Sequence, residues 1–139
     1  VSNLDLADMQ ELESVPGGPA VATNQLLYNL ARRGIEWDLL PWLRERRIPI
    51  MAYSPIEQAK LTRDPKLVDF ARRHGMTAAQ VGLAWLMVHD DVIVIPKTGR
   101  RDRLQENLSA FDHRLTQTQL AELDRLFPPP MGPSPLEML

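Results

Sequence analysis

The sequence contains no cysteine among its 139 residues. This absence excludes a disulfide framework, a thiolate nucleophile and a zinc–thiolate site, and it agrees with a cytoplasmic location. No apolar run approaches the ~18–20 residues that a membrane-spanning helix needs. The N-terminal stretch VSNLDLADMQ also lacks the charged-then-apolar layout of a signal peptide.

A strong excess of one charge is also missing. Sixteen basic and eighteen acidic side chains give a net charge of −2. Proteins that grip nucleic acid or anionic membranes normally present a basic surface. We therefore expect neither nucleic acid nor a membrane among the partners. The histidines lie far apart in the sequence, so no metal site is predicted.

Short apolar runs alternate with helical patterns along the chain. The apolar runs predict strands near residues 20–25, 48–54 and 91–96. Helical spacing and capping residues predict helices at 5–14, from Asp38, at 65–75, from Thr77, at 102–110 and from Thr116. This alternation is typical of consecutive βα units around a parallel sheet.

The predicted sheet is small for a parallel sheet. VSN at 1–3 has the character of a strand end, which adds a stub to the three strands. No linker or repeat divides the chain, so we assign all 139 residues to one domain. Such a sheet leaves both edges unpaired, and unpaired edges favour association. We therefore expect self-association through exposed sheet edges.

Hydrogen-bonding or aromatic residues follow each predicted strand. The strand ends carry Ser2–Asn3, Asn24–Gln25, Tyr53–Ser54 and Lys97–Thr98. In parallel α/β folds, ligands bind at the C-terminal ends of the strands. Serine, asparagine and glutamine suit a carboxamide, and a tyrosine face suits a flat ring. The polar residues could instead cap helices or form turns. The tyrosine could instead line the inside of a barrel without contacting a ligand.

Two cations stand out in VIVIPKTGRRDRLQEN, residues 92–107. Lys97 and Arg103 flank a predicted helix start, where free N–H groups attract anions and disfavour cations. A bound phosphate therefore explains them better than a solvated helix start. A single ligand that suits all these residues would contain a carboxamide, an aromatic ring and a phosphate. NADP(H), a nicotinamide dinucleotide with an extra phosphate, has all three. No glycine-rich GxGxxG turn is present, so a Rossmann site is excluded.

Several blocks of the sequence resemble one known family. The chain is similar to the C-terminal half of an aldo-keto reductase at VSN (1–3), NQ (24–25), YNLARRGIEWDLLPW (28–42), MAYSPI (51–56), GLAWL (82–86) and IPKTGRRDRLQEN (95–107). The resemblance implies an α/β fold, namely a partial (β/α)8 TIM barrel from the end of strand 5 through strand 8 plus the C-terminal helix and tail. It also implies NADPH-dependent reduction of small aldehydes or ketones, and RRGIEWDLLPW and FPPP favour bacterial methylglyoxal-reductase-like members.

The resemblance implies a set of residues on the nicotinamide side of the cofactor. Ser2, Asn3 and Gln25 would hold the nicotinamide carboxamide, and Tyr53 would stack on the ring. The loop after Tyr53 would cover the pyrophosphate, and its implied contacts are Ser54, Ile56 and Gln58.

A second implied set lies on the adenosine side of the cofactor. Its members are Lys97, Thr98, Arg103, Glu106 and Asn107. The first three would meet the 2′-phosphate, and the last two would touch the adenine. Arg100 and Arg101 match no family position, so we interpret them as surface charge.

The chain departs from the family pattern in two ways. Ala59 stands in SPIEQAK where a glycine is common, and alanine resists the positive φ that glycine adopts, so an altered pyrophosphate loop is expected. The family's catalytic Asp, Tyr, Lys and His come from the first four strands of a barrel of ~250 residues, and this chain resembles only the part of the barrel after those strands. Tyr28 and Tyr53, the only tyrosines, lie outside the catalytic motif. No catalytic residue is therefore assigned, and the chain alone is predicted to be inactive.

Two other classes of function are compatible with parts of the pattern. The principal alternative is a non-catalytic truncated protein that acts as a nucleotide-binding or interaction module. A third class is a βα domain that binds nucleic acid or a partner protein. The net charge of −2 and the lack of interleaved surface aromatic residues argue against that third class.

Overall fold

Three short parallel strands lie side by side at the centre of the structure, a computed structural model that describes residues 1–139. They are β1 (Asn24–Leu27), β2 (Ile50–Tyr53) and β3 (Val92–Val94), in chain order across the sheet. A parallel bridge between Ser2 and Gln25 extends the sheet beyond β1. Parallel neighbours need crossover connections, and helices supply them here. The α/β fold with a parallel sheet predicted from the sequence is confirmed.

Six α-helices surround the strands. They are α1 (Leu6–Ser14), α2 (Leu39–Glu45), α3 (Pro65–Arg73), α4 (Ala78–Leu86), α5 (Arg101–Ser109) and α6 (Gln117–Leu126). Short 3₁₀ turns occur at Gly18–Ala20, Gly34–Glu36, Glu57–Ala59, Leu61–Arg63 and Ala110–Asp112. None of the helices is both long enough and apolar enough to cross a membrane.

The two faces of the sheet differ in burial. The helix-covered face carries Asn24, Leu26, Ile50 and Ala52, all fully buried. On the opposite face the register places Gln25, Met51 and Ile93 in one row. The first two are only partly buried, and 44% of Ile93 is exposed. One face of the sheet therefore forms the core, and the other is open.

The hydrophobic core lies between the sheet and its helices. It contains 19 buried residues, and α4 contributes Val81, Trp85 and Leu86 to it. Phe70 of α3 is fully buried in the same cluster. Helix α4 is apolar nearly all round its surface because it packs between α3 and α5 as well as against β3.

Side-chain caps fix the starts of five of the six α-helices, all except α5. Thr77 accepts a hydrogen bond from the Gln80 backbone N–H, and the Gln80 side chain accepts one from the Thr77 N–H. Thr116 and Gln119 form the same reciprocal capping box before α6. These interactions involve residues three positions apart and are therefore readable in the sequence. The predicted starts of both helices are confirmed.

The predicted position of the strand at residues 20–25 was wrong. Residues 18–20 form a 3₁₀ turn, and β1 runs from Asn24 to Leu27. Gly17 has φ +84°, and Pro19 lacks the N–H that a ladder needs. Leu26 and Leu27 are buried and pair with Ala52 and Tyr53, so tertiary pairing rather than local composition sets the strand.

Candidate functional site

A cleft of about 510 Å³ lies beyond the C-terminal ends of β2 and β3. Three segments form it: the loop after β2, the start of α4, and residues 95–107. Its lining residues are Ser54, Pro55, Ile56, Gln58, Ala59, Thr62, Thr77, Ala78, Ala79, Ile95, Pro96, Lys97, Thr98, Arg103, Glu106 and Asn107. This is the edge of a parallel sheet at which ligands bind in α/β folds.

The loop after β2 adopts an uncommon backbone conformation. Ser54, Glu57, Gln58 and Ala59 all have positive φ, between +48° and +67°. For residues other than glycine this region costs roughly 1–2 kcal/mol each. Ala59 adopts the conformation that a glycine would adopt freely, so the alanine does not divert the backbone from positive φ. Such strain persists only where surrounding contacts hold it in place.

The carboxylate of Glu57 supplies contacts that hold this loop. It is 4% exposed and accepts hydrogen bonds from Asn29 Nδ2 at 2.9 Å and from Arg32 Nε at 3.0 Å. Burial alone would raise the pKa of Glu57, but the hydrogen bonds from Arg32 and Asn29 outweigh burial and hold the pKa below its usual range. Asn29 Nδ2 also donates to the Ser54 carbonyl oxygen at 2.9 Å. Ser54 and Glu57 are thus both tied to residues shortly after β1.

The cations after β3 fall into two groups. Arg100 pairs with Asp102, its Nε lying 3.1 Å from Oδ1, and does not line the cleft. Lys97 and Arg103 line the cleft and form no ion pair. No side chain caps the N-terminus of α5. Unpaired cations beside an uncapped helix N-terminus form an arrangement suited to a phosphate group.

A second set of polar residues, outside the cleft, lies near the ends of the strands. Asn3 has φ +54°, and its backbone N–H donates to the Gln25 carbonyl oxygen at 2.9 Å. Ser2 Oγ donates to the same carbonyl oxygen at 3.3 Å. Asn3 Oδ1 and the Tyr53 hydroxyl are buried and have no hydrogen-bond partner. Buried polar atoms without partners are rare, so these two offer an acceptor and a donor to a ligand.

The structure brings most of the sequence-predicted site residues together. Eight line the cleft, namely Ser54, Ile56, Gln58, Lys97, Thr98, Arg103, Glu106 and Asn107. The other four, Ser2, Asn3, Gln25 and Tyr53, do not line it. Gln25 and Tyr53 share the open face of the sheet, because Gln25 is level with Met51 in the register. Tyr53 and Ser54 are consecutive, so the two groups adjoin.

Tyr28 lies outside both groups. Its ring is 1% exposed, and its hydroxyl donates to Glu36 Oε1 at 2.9 Å. Burial and the adjacent Glu36 carboxylate raise the pKa of Tyr28 well above its ordinary value. Arg33 also donates a hydrogen bond to the Glu36 carboxylate and forms an ion pair with it. Tyr28 is therefore a structural residue.

Sequence reasoning missed several residues that shape the site. Thr62 and Thr77 line the cleft, and the Asn29–Arg32–Glu57 contacts support its loop. A glutamate in SPIEQAK carries no pattern that distinguishes a buried carboxylate from a solvated one. No group of three or more His, Asp or Glu side chains is arranged to hold a metal ion.

Comparison with known proteins identifies the family of this chain. The sequence profile of the Aldo/keto reductase family matches residues 1–127. Methylglyoxal reductase YeaE of Escherichia coli (strain K12) is 46% identical over 144 residues, which cover 100% of this chain and 51% of that protein. Glyoxal reductase of Bacillus subtilis (strain 168) is 31% identical, with coverage of 100% and 49%.

A solved structure gives the same result. A crystal structure of an aldo/keto reductase from Klebsiella pneumoniae in complex with NADP and acetate superimposes with a TM-score of 0.95 and 44% sequence identity. The match covers 100% of this chain and 51% of that one. This chain thus spans about half the length of these relatives. With the family profile matched over residues 1–127, the chain belongs to the aldo/keto reductase family.

Proposed function

We propose that the cleft and the adjoining strand ends bind NADP(H), and that the site serves reduction of a small aldehyde or ketone. The observation that carries this proposal is the meeting of eight sequence-predicted residues in one cleft with two unpaired cations. The family and the NADP complex of the Klebsiella pneumoniae relative support it. The similarity to methylglyoxal reductase favours methylglyoxal-like carbonyl compounds as substrates.

The adenosine half of the cofactor fits the cleft. Lys97, Thr98 and Arg103 bind the 2′-phosphate, since two cations beside the start of α5 are otherwise unneutralised. Glu106 and Asn107 lie one turn further along α5 and contact the adenine. The left-handed loop covers the pyrophosphate through Ser54, Ile56 and Gln58, which form the opposite wall of the cleft.

The nicotinamide half fits the strand ends. Asn3 Oδ1 is buried without a partner and accepts a hydrogen bond from the carboxamide NH₂, with Ser2 and Gln25 beside it. Tyr53 stacks on the ring from the open face of the sheet. When bound, the reduced nicotinamide supplies the hydride for the carbonyl carbon. The contribution of these residues is to hold one ring face toward the substrate.

No residue of this chain is proposed as the acid that protonates the carbonyl oxygen. The Tyr28 hydroxyl is engaged with Glu36 and is buried. Tyr53 belongs to the cofactor group. The 139-residue chain by itself is therefore proposed to bind cofactor without turnover. The alternative is a non-catalytic module that binds a nucleotide or a partner protein. If NADPH does not bind, a module that binds a partner protein is favoured.

We also propose that all 139 residues form one domain that is part of a (β/α)8 barrel. Strand order β1-β2-β3 with helical crossovers is the order of successive barrel strands, and the Ser2–Gln25 bridge represents the end of a strand before them. The open sheet face carrying Gln25, Met51 and Ile93 corresponds to the barrel interior. A cytoplasmic location stays a prediction from the lack of cysteine.

Association between copies is proposed at the β3 side of the sheet. Strand β3 pairs only with β2, so its outer edge has free backbone groups. Ile93 is 44% exposed there. Helix α5, which follows β3 in the chain, and the turn after it expose Leu104, Leu108 and Phe111 at helical spacing. A second copy would cover this apolar edge.

Titration of the 139-residue chain with NADPH and NADH tests the proposal. Binding is measured by quenching of tryptophan fluorescence and by the thermal midpoint, and methylglyoxal turnover is measured in parallel. We expect NADPH to bind and to raise the midpoint, NADH to bind more weakly, and turnover to be absent. Lack of any effect of NADPH contradicts the cofactor proposal, and turnover contradicts the proposed absence of a catalytic acid.

A further inference from the structure

The loop that faces the proposed nucleotide has two sides with different environments. Ile56, Gln58 and Ala59 line the cleft, whereas Glu57 does not. The Glu57 side chain instead points to the back of the loop and is buried there. The one charged side chain of this turn is therefore not available to the ligand and acts on the loop itself.

The contacts behind the loop converge on Glu57. Its Oε2 accepts from Asn29 Nδ2, and its Oε1 accepts from both Nε and Nη2 of Arg32, all at 2.9–3.0 Å. Asn29 is fully buried and ties the start of the loop through the Ser54 carbonyl oxygen. Asn29 and Arg32 are themselves joined by a backbone bridge. Both oxygens of the Glu57 carboxylate, the anchor of this loop, thus have hydrogen-bond donors.

The anchor acts on the residues whose backbone is strained. Glu57, Gln58 and Ala59 have consecutive positive φ values of 49°, 51° and 67°. An unanchored chain of non-glycine residues leaves this region for ordinary φ values. Relaxation of the turn would move Gln58 and Ala59, which form one wall of the cleft. The conformation of the wall therefore depends on the buried carboxylate.

Arg32 also has a second carboxylate partner. Its Nη1 donates to Glu137 Oε1 at 2.5 Å, which joins the C-terminal tail to the same guanidinium. Glu137 is 41% exposed at the side chain, whereas the Glu57 side chain is 5% exposed. Arg32 therefore pairs with two glutamates, Glu57 in the loop and Glu137 in the C-terminal tail. Replacing each in turn allows a matched comparison of the two ion pairs.

We propose that Glu57 is a positioning residue that, held by Arg32 and Asn29, keeps the loop after β2 in its left-handed conformation so that the cleft accepts the dinucleotide phosphates. The inference rests on the proposed NADP(H) function and goes beyond it, because Glu57 does not line the cleft and acts through the loop. Since the loop is preorganised, a nucleotide does not have to order it on binding. Loss of the anchor therefore weakens nucleotide binding.

The variant Glu57→Gln tests this proposal, with Glu137→Gln as its matched control. Hydrogen exchange of the ligand-free chain is followed at the loop residues 54–63, with β2 as internal reference for global stability. We expect Glu57→Gln to raise exchange in the loop and not in β2. The NADPH dissociation constant should rise by about tenfold or more, the loss typical of a charge-assisted hydrogen bond. Glu137→Gln should leave both quantities within about twofold.

A glycine at position 59 separates positioning from general destabilisation. Glycine adopts positive φ without strain, so Ala59→Gly in the Glu57→Gln background should recover part of the lost affinity. Unchanged loop exchange in Glu57→Gln overturns the proposal, as does an equal effect of Glu137→Gln or an absence of recovery. If the unaltered chain does not bind NADPH, the proposed function fails, and the exchange measurement still decides whether Glu57 holds the loop.

Discussion

Lys97 and Arg103 line the same cleft, one from the segment after β3 and the other from the first turn of α5, and neither forms an ion pair. In contrast, the adjacent Arg100 is paired with Asp102. Cations near a helix N-terminus oppose the helix dipole unless an anion lies between them. The arrangement supports the proposed contact of both side chains with the 2′-phosphate.

Replacement of Arg103 by alanine should therefore lower affinity for NADPH and leave affinity for NADH nearly unchanged. The expected loss is about 10- to 100-fold, corresponding to the ~1.5–3 kcal/mol of a hydrogen bond to a charged group. Fluorescence titration with both nucleotides measures it. Arg101→Ala is the control, because Arg101 lies in the same helical turn outside the cleft. Equal losses for the two variants would argue against a specific phosphate contact.

Replacement of Tyr28 by phenylalanine tests the structural role assigned to that tyrosine. The change removes the hydrogen bond to Glu36 and leaves the buried ring in contact with Trp85, whose ring centroid is 5.3 Å away. We expect the free energy of unfolding to fall by about 1 kcal/mol, with unchanged affinity for NADPH. Urea unfolding and nucleotide titration measure the two quantities. Weaker nucleotide binding at unchanged stability would place Tyr28 in the site.

The pH dependence of stability should carry a contribution from His89. Burial, and next the nearby Arg44 guanidinium, lower the pKa of His89 below its ordinary value. Its ring packs edge-on against Trp85, with 5.7 Å between the ring centroids. As the pH falls through ~6.5, the unfolded chain binds a proton that the folded chain resists. The free energy of unfolding therefore decreases from about pH 7 toward the folded pKa.

The variant His89→Gln should flatten this part of the profile, because glutamine does not titrate. Its amide oxygen can accept a hydrogen bond from Arg44, whose Nη2 lies 3.4 Å from His89 Nδ1. Urea unfolding between about pH 5 and 8 provides the measurement. His113→Gln serves as the comparison, since His113 lies in the loop after Ala110–Asp112. A profile of His89→Gln that matches the unaltered chain would show that another group carries the slope.

Local signals explain how much of this fold could be predicted. The capping boxes at Thr77 and Thr116 depend on residues three positions away, so the sequence contains the whole interaction. Strand β1 was misplaced because its limits depend on pairing of Leu26 and Leu27 with a strand some 26 residues later. Such pairing can override the preferences of the local residues, and it cannot be recognised from a short stretch of sequence.

The candidate site divides in the same way. Residues such as Lys97 and Arg103 were predictable because they follow an apolar strand, which fixes their place at the sheet edge. The role of Glu57 was not predictable, because the burial of its carboxylate depends on Asn29 and Arg32 from the preceding βα unit. Positive φ at Ala59 was likewise hidden, since the residue type favours other conformations.

Association through the β3 side makes a prediction about concentration. Leu108 and Phe111, in α5 and the turn after it, are 57% and 73% exposed, and the outer edge of β3 is unpaired. We expect sedimentation velocity to show a concentration-dependent dimer, and the double variant Leu108→Lys, Phe111→Lys to shift it toward monomer. Trp37→Lys, at an exposed aromatic residue beside the Gly34–Glu36 turn, should have no such effect. A monomer at every concentration would contradict the association proposal.

Two reciprocal substitutions test the backbone strain. Ala59 at φ +67° and Gly75 at φ +67° have the same value, but only the alanine carries a Cβ. Nothing lies within 4 Å of a Cβ built on Gly75, so Gly75→Ala introduces conformational strain alone and should destabilise by about 1 kcal/mol. Ala59→Gly should stabilise by roughly 0.5–1 kcal/mol, because relief of strain exceeds the added freedom of the unfolded chain. Urea unfolding measures both, and a destabilising Ala59→Gly would mean that local contacts of the alanine methyl group outweigh the strain.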